Sequence, residues 1–408
     1  MKMQKTKTKN ILLSGILVLS LFFIISGVVY AESACSNKLT GLNRYSSCKV
    51  LTGDTLTVNA EGCTNTCFKI SNTSGKSVFI PTNTCAEWDA FLTHMPNGIS
   101  TSSCIAIDVP VGAEGYDSSG TLVIAESESG TLTENSGKII FKEVKNYGTI
   151  SSYVEKTAYV LVVGGGGSGS PCMGAGGGAG GLIFRDDFDL SSNFNVVVGA
   201  GGNAQSDTVP GNNGEDSILG SLVALGGGGG GYRDGLDGGS GGGVHASSSQ
   251  GVPGSGLQPG SSSGGYGNRG GYTYPTGGGG EQAAGGGGGA GEVGGDGTYR
   301  NAGRGGYGLC EVNTFNFASI FGTQVGHIID GKAYFAGGGS GGSSSPSGYP
   351  PCYNRGIVYG GGGWSGCQYE PAGSGMPNTG GGGGGSRACN WGGVTGGAGG
   401  SGVVIIKW

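Results

Sequence analysis

Gly164 to Gly169, directly after the apolar run Tyr159 to Val163, spell G-x-G-x-x-G, the mark of a turn that cradles a phosphate between a strand and a helix. No helical pattern follows; Ser170, Pro171, Cys172 and more glycine do. The hexaglycine run Gly226 to Gly231 satisfies the same pattern. Gly238–Gly242 and Gly338–Gly342 read G-x-S-x-G, the nucleophile elbow, around Ser240 and Ser340. Neither serine stands at a strand-to-helix turn, and nothing in the spacing brings His94, His245 or His327 to either. Gly326 to Ala333 (GHIIDGKA) nearly forms a P-loop but has Ala333 where Ser or Thr must hold magnesium. Cys63-x-x-x-Cys67 lacks the second half of a zinc site, and GGDGTY from Gly294 misses the spacing of a calcium-binding repeat. In a chain with 98 glycines such matches arise by chance. The expectation is a non-enzymatic protein with no catalytic residue, cofactor or metal.

The N-terminus carries Lys2, Lys5, Lys7 and Lys9, then an apolar stretch from Ile11 to Val29 and the small-residue site Val29-Tyr30-Ala31. This predicts a secretory signal peptide over residues 1–31, with a membrane anchor as the alternative if it stays uncleaved. The expected location is therefore secreted or cell-surface. In an oxidising compartment the 11 cysteines read as disulfide candidates. Cys35, Cys48, Cys63, Cys67, Cys85 and Cys104 form an even set. Cys172, Cys310, Cys352, Cys367 and Cys389 form an odd one, which leaves a free thiol, a bond to the first set or an intermolecular disulfide. The net charge of −5 supplies no basic face for nucleic acid, although Arg269-Gly270-Gly271 and Arg304-Gly305-Gly306-Tyr307 resemble fragments of RNA-binding segments.

Glycine divides the chain: 13 of the 98 precede Gly164. Residues 32–110 alternate like short strands broken by Gly and Asn turns, a cysteine-rich β module with one short helix around Trp88, Phe91, Leu92 and Met95. Residues 111–156 repeat N-x-G-x-I (Asn135 to Ile139, Asn146 to Ile150), which suggests a short β stalk or connector, built as a β-solenoid or as a pair of hairpins. Residues 157–408 open on the strand Ala158 to Val163 and close on Gly402 to Trp408. Strongly apolar segments at both ends are what a domain needs if its first and last strands pair, and a disordered glycine linker would not carry them.

The order VLVVGGGG, NVVVGAGG, GNNGEDSILGSL, a hexaglycine run and a closing GSGVVII resembles the glycine-rich domain of bacterial surface proteins and bacteriophage tail-fibre adhesins. A more distant likeness is to the glycine-rich domain of anaplastic-lymphoma-kinase-type receptors. The resemblance covers residues 157–408 and implies a mainly β domain holding a lattice of polyglycine II helices, with loops between them that contact a receptor. In polyproline-II geometry every N–H and C=O points outward at three residues per turn, and only glycine lets neighbouring helices approach closely enough to pair them. Gly226 to Gly231 would then span two turns, roughly 19 Å.

Three segments depart from plain glycine: Gln258 to Thr276, Ser343 to Gly360 and Trp364 to Gly380. They are rich in Tyr, Ser, Gly, Asn, Trp and Arg, a composition suited to adaptable contact surfaces. The ligand-binding candidates are Tyr266, Arg269, Tyr272, Tyr274, Tyr349, Tyr353, Arg355, Tyr359, Trp364, Tyr369 and Trp391. The partner expected is a surface receptor, carbohydrate or protein; the competing expectation is a structural extracellular or envelope protein in which the lattice is itself the function.

Overall fold

The computed structural model describes residues 55–59, 67–72 and 99–408, apart from 135, 153–156, 207–208, 248–250, 274–281, 299–300, 344–358, 367–370 and 388–394. The expected leader and the expected helix around Trp88 lie outside the described residues. The chain divides into two compact units, residues 1–106 with 153–155, and 107–152 with 156–408.

In the first unit, alternating apolar and polar residues give β1 (Thr55–Asn59) and β2 (Cys67–Asn72), which pair antiparallel with Leu56 opposite Ile70. β2 also pairs antiparallel with the first part of β3 (Ile99–Val109), where Cys67 stands opposite Cys104.

The second unit is built on a six-stranded antiparallel sheet. From one edge it runs β10 (Leu182–Asp189), β9 (Thr157–Val163), β18 (Val403–Lys407), β7 (Lys138–Phe141), β4 (Ala113–Tyr116) and β5 (Leu122–Ile124). The apolar runs at the two ends of the glycine-rich region do pair: Val163 faces Val403 and Val160 faces Ile406. A second antiparallel sheet runs β13 (Leu222–Ala224), β12 (Ser217–Leu219), β11 (Phe194–Val197) and β8 (Asn146–Ile150). β12 and β13 pack over β9, and β12 over β18.

The opposite face of the large sheet is covered by an insertion. It consists of the hairpin β14 (Glu311–Val312) and β15 (Phe315–Asn316), the helix α1 (Phe317–Phe321) and the hairpin β16 (His327–Ile329) and β17 (Lys332–Tyr334). Leu161, Val163, Phe184, Val403 and Ile405 meet Phe317, Phe321 and Phe335 in one apolar cluster. Burial on both faces explains why β9 and β18 are continuous apolar runs and not alternating ones.

Of the segment 111–156, read from sequence as a stalk, residues 111–152 belong to this unit. Its two N-x-G-x-I copies do not stack as a solenoid: Ile139 lies in β7 of the large sheet and Ile150 in β8 of the small one. β6 (Gly130–Glu134) lies beside the end of β3, where the Thr131 hydroxyl donates to Asp108 (2.8 Å). The sequence also gave no helical expectation for Phe317–Phe321. Asn316 starts that helix by accepting the Ser319 N–H (3.1 Å), a short-range cap within an aromatic run.

Beyond the strands, the glycine tracts bond sideways with a period of three. Gly164, Gly167 and Ser170 donate to the carbonyls of Gly181, Gly178 and Ala175. Gly165 and Ser168 donate instead to Glu215 and Asn212, and Gly166 and Gly169 to Gly400 and Gly397.

The tract 174–181 has six such neighbours. It donates to Ser386, Gly383 and Gly380, to Gly285 and Gly288, and to Gly228 and Leu225; it accepts from 164–170, from Ser240 and Gly243, and from Gly339 and Gly342. All of these bonds measure 2.7–3.1 Å. A β-carbon would break this arrangement: at Gly177 it would run into the Gly167 carbonyl, and at Gly228 into that of Leu236.

One lysine ties the insertion to the sheet. Lys138 of β7 is 5% exposed and donates to the Phe321 carbonyl that ends α1 (2.7 Å) and to Gln324 Oε1 (2.8 Å), with its ammonium 4.4 Å from the Tyr116 ring centre. Burial and then the like charge of Lys407 push its pKa from 10.5 down to about 8, with Glu114 opposing.

Two measurements check this fold. Gly228→Val is expected to destabilise the protein by about 3 kcal/mol or more, because it overpacks the array and breaks lateral bonds. A melting transition unmoved by the valine would refute the packed array. Between about pH 8 and pH 10 the unfolded Lys138 holds a proton that the folded one has lost, so its contribution to stability rises with pH in that window. Lys138→Met is therefore expected to flatten the pH dependence of Tm over this range; an unchanged slope would place the amine's titration elsewhere.

Candidate ligand-binding surface

A three-residue period puts positions i and i+3 of a tract on the same side. Two surface tracts use this with the same tetrapeptide, Arg-Gly-Gly-Tyr, at 269–272 and 304–307. In each, the glycines between are buried and face neighbouring carbonyls, those of Gly242 and Gly295 for Gly270 and Gly271, and those of Gly338 and Glu292 for Gly305 and Gly306. Arg and Tyr are left outward, with the guanidinium over the ring at 5.0 Å for Arg269 and Tyr272 and at 4.4 Å for Arg304 and Tyr307.

The two tetrapeptides flank one tract. Gly294 donates to the Arg269 carbonyl (3.0 Å) and Gly295 to that of Arg304 (2.9 Å). Asn268 fixes the first tract through its amide, which donates to the carbonyls of Gly289 (2.8 Å) and Ala290 (3.1 Å), and Asp296 accepts the Tyr272 N–H (2.8 Å). Arg304 grips Glu292 with both terminal nitrogens (2.8 and 2.5 Å), and that contact holds the Glu292 carboxyl below its ordinary pKa. The result is a ridge in which Tyr272 is 44% and Tyr307 39% exposed on a backbone with little freedom to move.

The remaining candidates divide. Trp364 is 49% exposed, with its indole against Gly373. Tyr359 is half-buried between Tyr307 (5.0 Å) and Tyr334 (4.9 Å). Burial, followed by the contact with Cys310, raises the Tyr334 hydroxyl to about 12. Tyr266 packs against the apolar cluster and exchanges backbone bonds with Leu182 (2.8 and 3.0 Å), which makes it a structural residue. Tyr274, Tyr349, Tyr353, Arg355, Tyr369 and Trp391 lie outside the described residues. Of the cysteines, Cys172 is a half-buried free thiol and Cys310 a buried one, so neither is a disulfide staple here.

The sequence motifs for catalysis find structural roles. Every N–H from Gly164 to Gly169 is bonded to a backbone carbonyl, leaving none to hold a phosphate. GHIIDGKA forms the hairpin of β16 and β17, turned by Asp330 (φ 50°) and Gly331 (φ 74°), the two left-handed residues that a tight hairpin turn needs.

Ser240 and Ser340 are 0% and 1% exposed. His245 is buried, its Nε2 against the Cys172 carbonyl (2.6 Å) and its Nδ1 accepting from Ser247, and burial holds its pKa below the usual value. His327 Nδ1 accepts the Gly361 N–H (3.1 Å). Among the described residues no group of three or more His, Cys, Asp or Glu could hold a metal ion.

The fold defines a mainly β domain whose strands anchor laterally bonded glycine tracts. A family model described as a glycine-rich domain matches residues 144–408, more than half of the chain, and the protein belongs to that family. The match begins ahead of β8, in accord with the inclusion of that strand in the domain. No curated protein matches the chain.

The two buried serines of different fate give a test of the array. Among the described residues the Ser240 hydroxyl has no hydrogen-bond partner, whereas Ser170 Oγ donates to the Gly231 carbonyl (2.7 Å) and accepts from the Ala175 N–H (2.8 Å). Ser240→Gly is expected to be neutral or stabilising, since loss of an unpaired buried hydroxyl offsets the entropy of a new glycine. Ser170→Gly should cost about 1–3 kcal/mol. Equal melting shifts for the two would contradict the structure.

Proposed function

We propose that this is a secreted or cell-surface, non-enzymatic adhesin-like protein whose glycine tracts form a polyglycine II lattice presenting a binding surface. The observation that carries the reading is the paired Arg-Gly-Gly-Tyr ridge, exposed side chains set at i and i+3 on a backbone locked by lateral bonds. The three-residue bonding period and the six neighbours of tract 174–181 support the lattice. Aromatic and arginine side chains give large contact area, and a rigid frame reduces the ordering cost of binding. The partner proposed is a surface receptor, protein or carbohydrate.

Binding of the full chain to cells and to arrays of immobilised glycans and membrane proteins tests this. Tyr272→Ala combined with Tyr307→Ala should weaken binding about tenfold or more, in the range of interface anchors, with little change in Tm. Binding undiminished by the double variant would remove the ridge from the interface. Absence of any binding would favour the structural role, in which a saturated glycine array is itself the product.

A further inference from the structure

An open groove on the second unit, distinct from the ridge, has a volume of about 690 Å³, within the range of roughly 300–1,000 Å³ of small-molecule sites. Two irregularities in the sheets lie at or beside it. β10 is an edge strand whose pairing with β9 shifts between Arg185 and Phe188, and β11 shifts against β8 between Val196 and Val197. Such bulges turn side chains out of the regular alternation, here bringing Asp187 and Phe188 into the groove wall.

An aromatic corner lies within it: Phe188 and Phe194 meet edge to face at 5.9 Å. Gly220 (φ 58°), at the turn between β12 and β13, carries no side chain here, and a β-carbon there would lie 3.6 Å from the Phe194 Cβ and 3.7 Å from the Phe188 ring.

Apart from Leu222 and Arg185, the rest of the lining consists of short oxygen-bearing groups. Thr149 donates to Asn195 Oδ1 (2.8 Å), which fixes that carboxamide, and Asn193 Oδ1 accepts the Ser152 N–H (3.2 Å), which fixes another. Both leave their NH₂ groups as donors. The Asp187 carboxylate and the Ser221 hydroxyl are exposed, and Asp189 keeps acceptor capacity beyond its bonds to Ser191. Arg185, the one cation among the described lining residues, is turned to backbone carbonyls, those of Phe184 and Ser263.

We propose that this groove binds a neutral saccharide. Sugar hydroxyls are both donors and acceptors, which suits a mixed wall of carboxylates, carboxamides and hydroxyls, and the apolar face of a pyranose suits the half-buried Phe188 ring, which the buried Phe194 backs. The two carboxylates repel phosphates and acidic sugars, and Arg185 is already engaged. A wholly apolar ligand would strand the polar lining without partners.

Saturation-transfer NMR on the full chain with lactose, maltotriose and chitotriose tests the assignment. At least one probe is expected to receive saturation at its ring protons, insensitively to added salt. Asp187→Asn, an exposed change that should leave Tm unaltered, is expected to weaken that binding about tenfold, and Ser221→Ala to weaken it further. The Tyr272→Ala/Tyr307→Ala protein should bind the probe normally, which separates failure here from failure of the ridge. No transfer to any probe, transfer indifferent to Asp187→Asn, or displacement by a sulfated oligosaccharide or a peptide in preference would overturn the proposal.

Discussion

A buried peptide group must find a hydrogen-bond partner, and a glycine tract has only its neighbours to supply one. The rest of this structure follows from that requirement. With bonds at every third residue going to the same neighbour, a tract inside the domain needs several others around it, and tract 174–181 has six. Side chains would hold those neighbours apart, so the interior admits glycine and, at points such as Ala175, Ala179, Ser168 and Ser170, little else. Two of the serines that enter the array take over a bond: Ser168 Oγ accepts the Asn212 N–H, and Ser170 Oγ meets both Gly231 and Ala175.

Glycine loses more conformational freedom on folding than any other residue, so an array of this kind cannot be expected to assemble alone. The sheets supply the missing cohesion. β9, β10 and β18 are neighbours, and the tracts that leave their ends, 164–170, 174–181 and 396–402, are neighbours as well. The array thus inherits its first register from the ladder, in which Val163 is opposite both Leu182 and Val403. Apolar burial on both faces of these strands fixes that register more firmly than glycine could. The aromatic insertion with Phe317, Phe321 and Phe335 completes one face, and Lys138 holds it down at the cost of a desolvated amine.

Part of this was legible in the sequence. Tyr159 to Val163 and Val403 to Lys407 are apolar enough to require pairing, and Ser217 to Ala224 carries a Gly at its turn. The overall β character follows from such segments. Other features were hidden because they depend on partners far away in the chain. Residues 138–141 read as part of a connector until β18, some 260 residues later, is placed beside them. α1 is too short for a periodic signal and rests on one Asn cap and tertiary packing. Within the tracts the sequence is nearly silent: Gly228 and Gly229 are the same residue, yet the N–H of one goes to the Ser240 carbonyl and that of the other to the Asn213 side chain. At the surface, Arg-Gly-Gly-Tyr resembled an RNA-binding fragment; its meaning here is the spacing, which a local reading without the three-residue period could not extract.

That period also decides where such a domain can vary. Deleting or inserting one residue within a tract puts everything after it out of step with the three-residue bonding period, and each N–H then meets the wrong neighbour. The consequence resembles a one-residue slip in a β-strand, but it falls on up to six neighbours where a strand has two. A residue added to a turn between tracts carries no such penalty, because the tracts on either side keep their phase. Side chains that point outward at i and i+3 are similarly free, provided that the glycines between them remain. Conserving phase inside while varying turns and outward positions lets one interior support different surfaces. The groove at the bulged edge of β10 lies among strands and not tracts, so its lining is free of even that restriction.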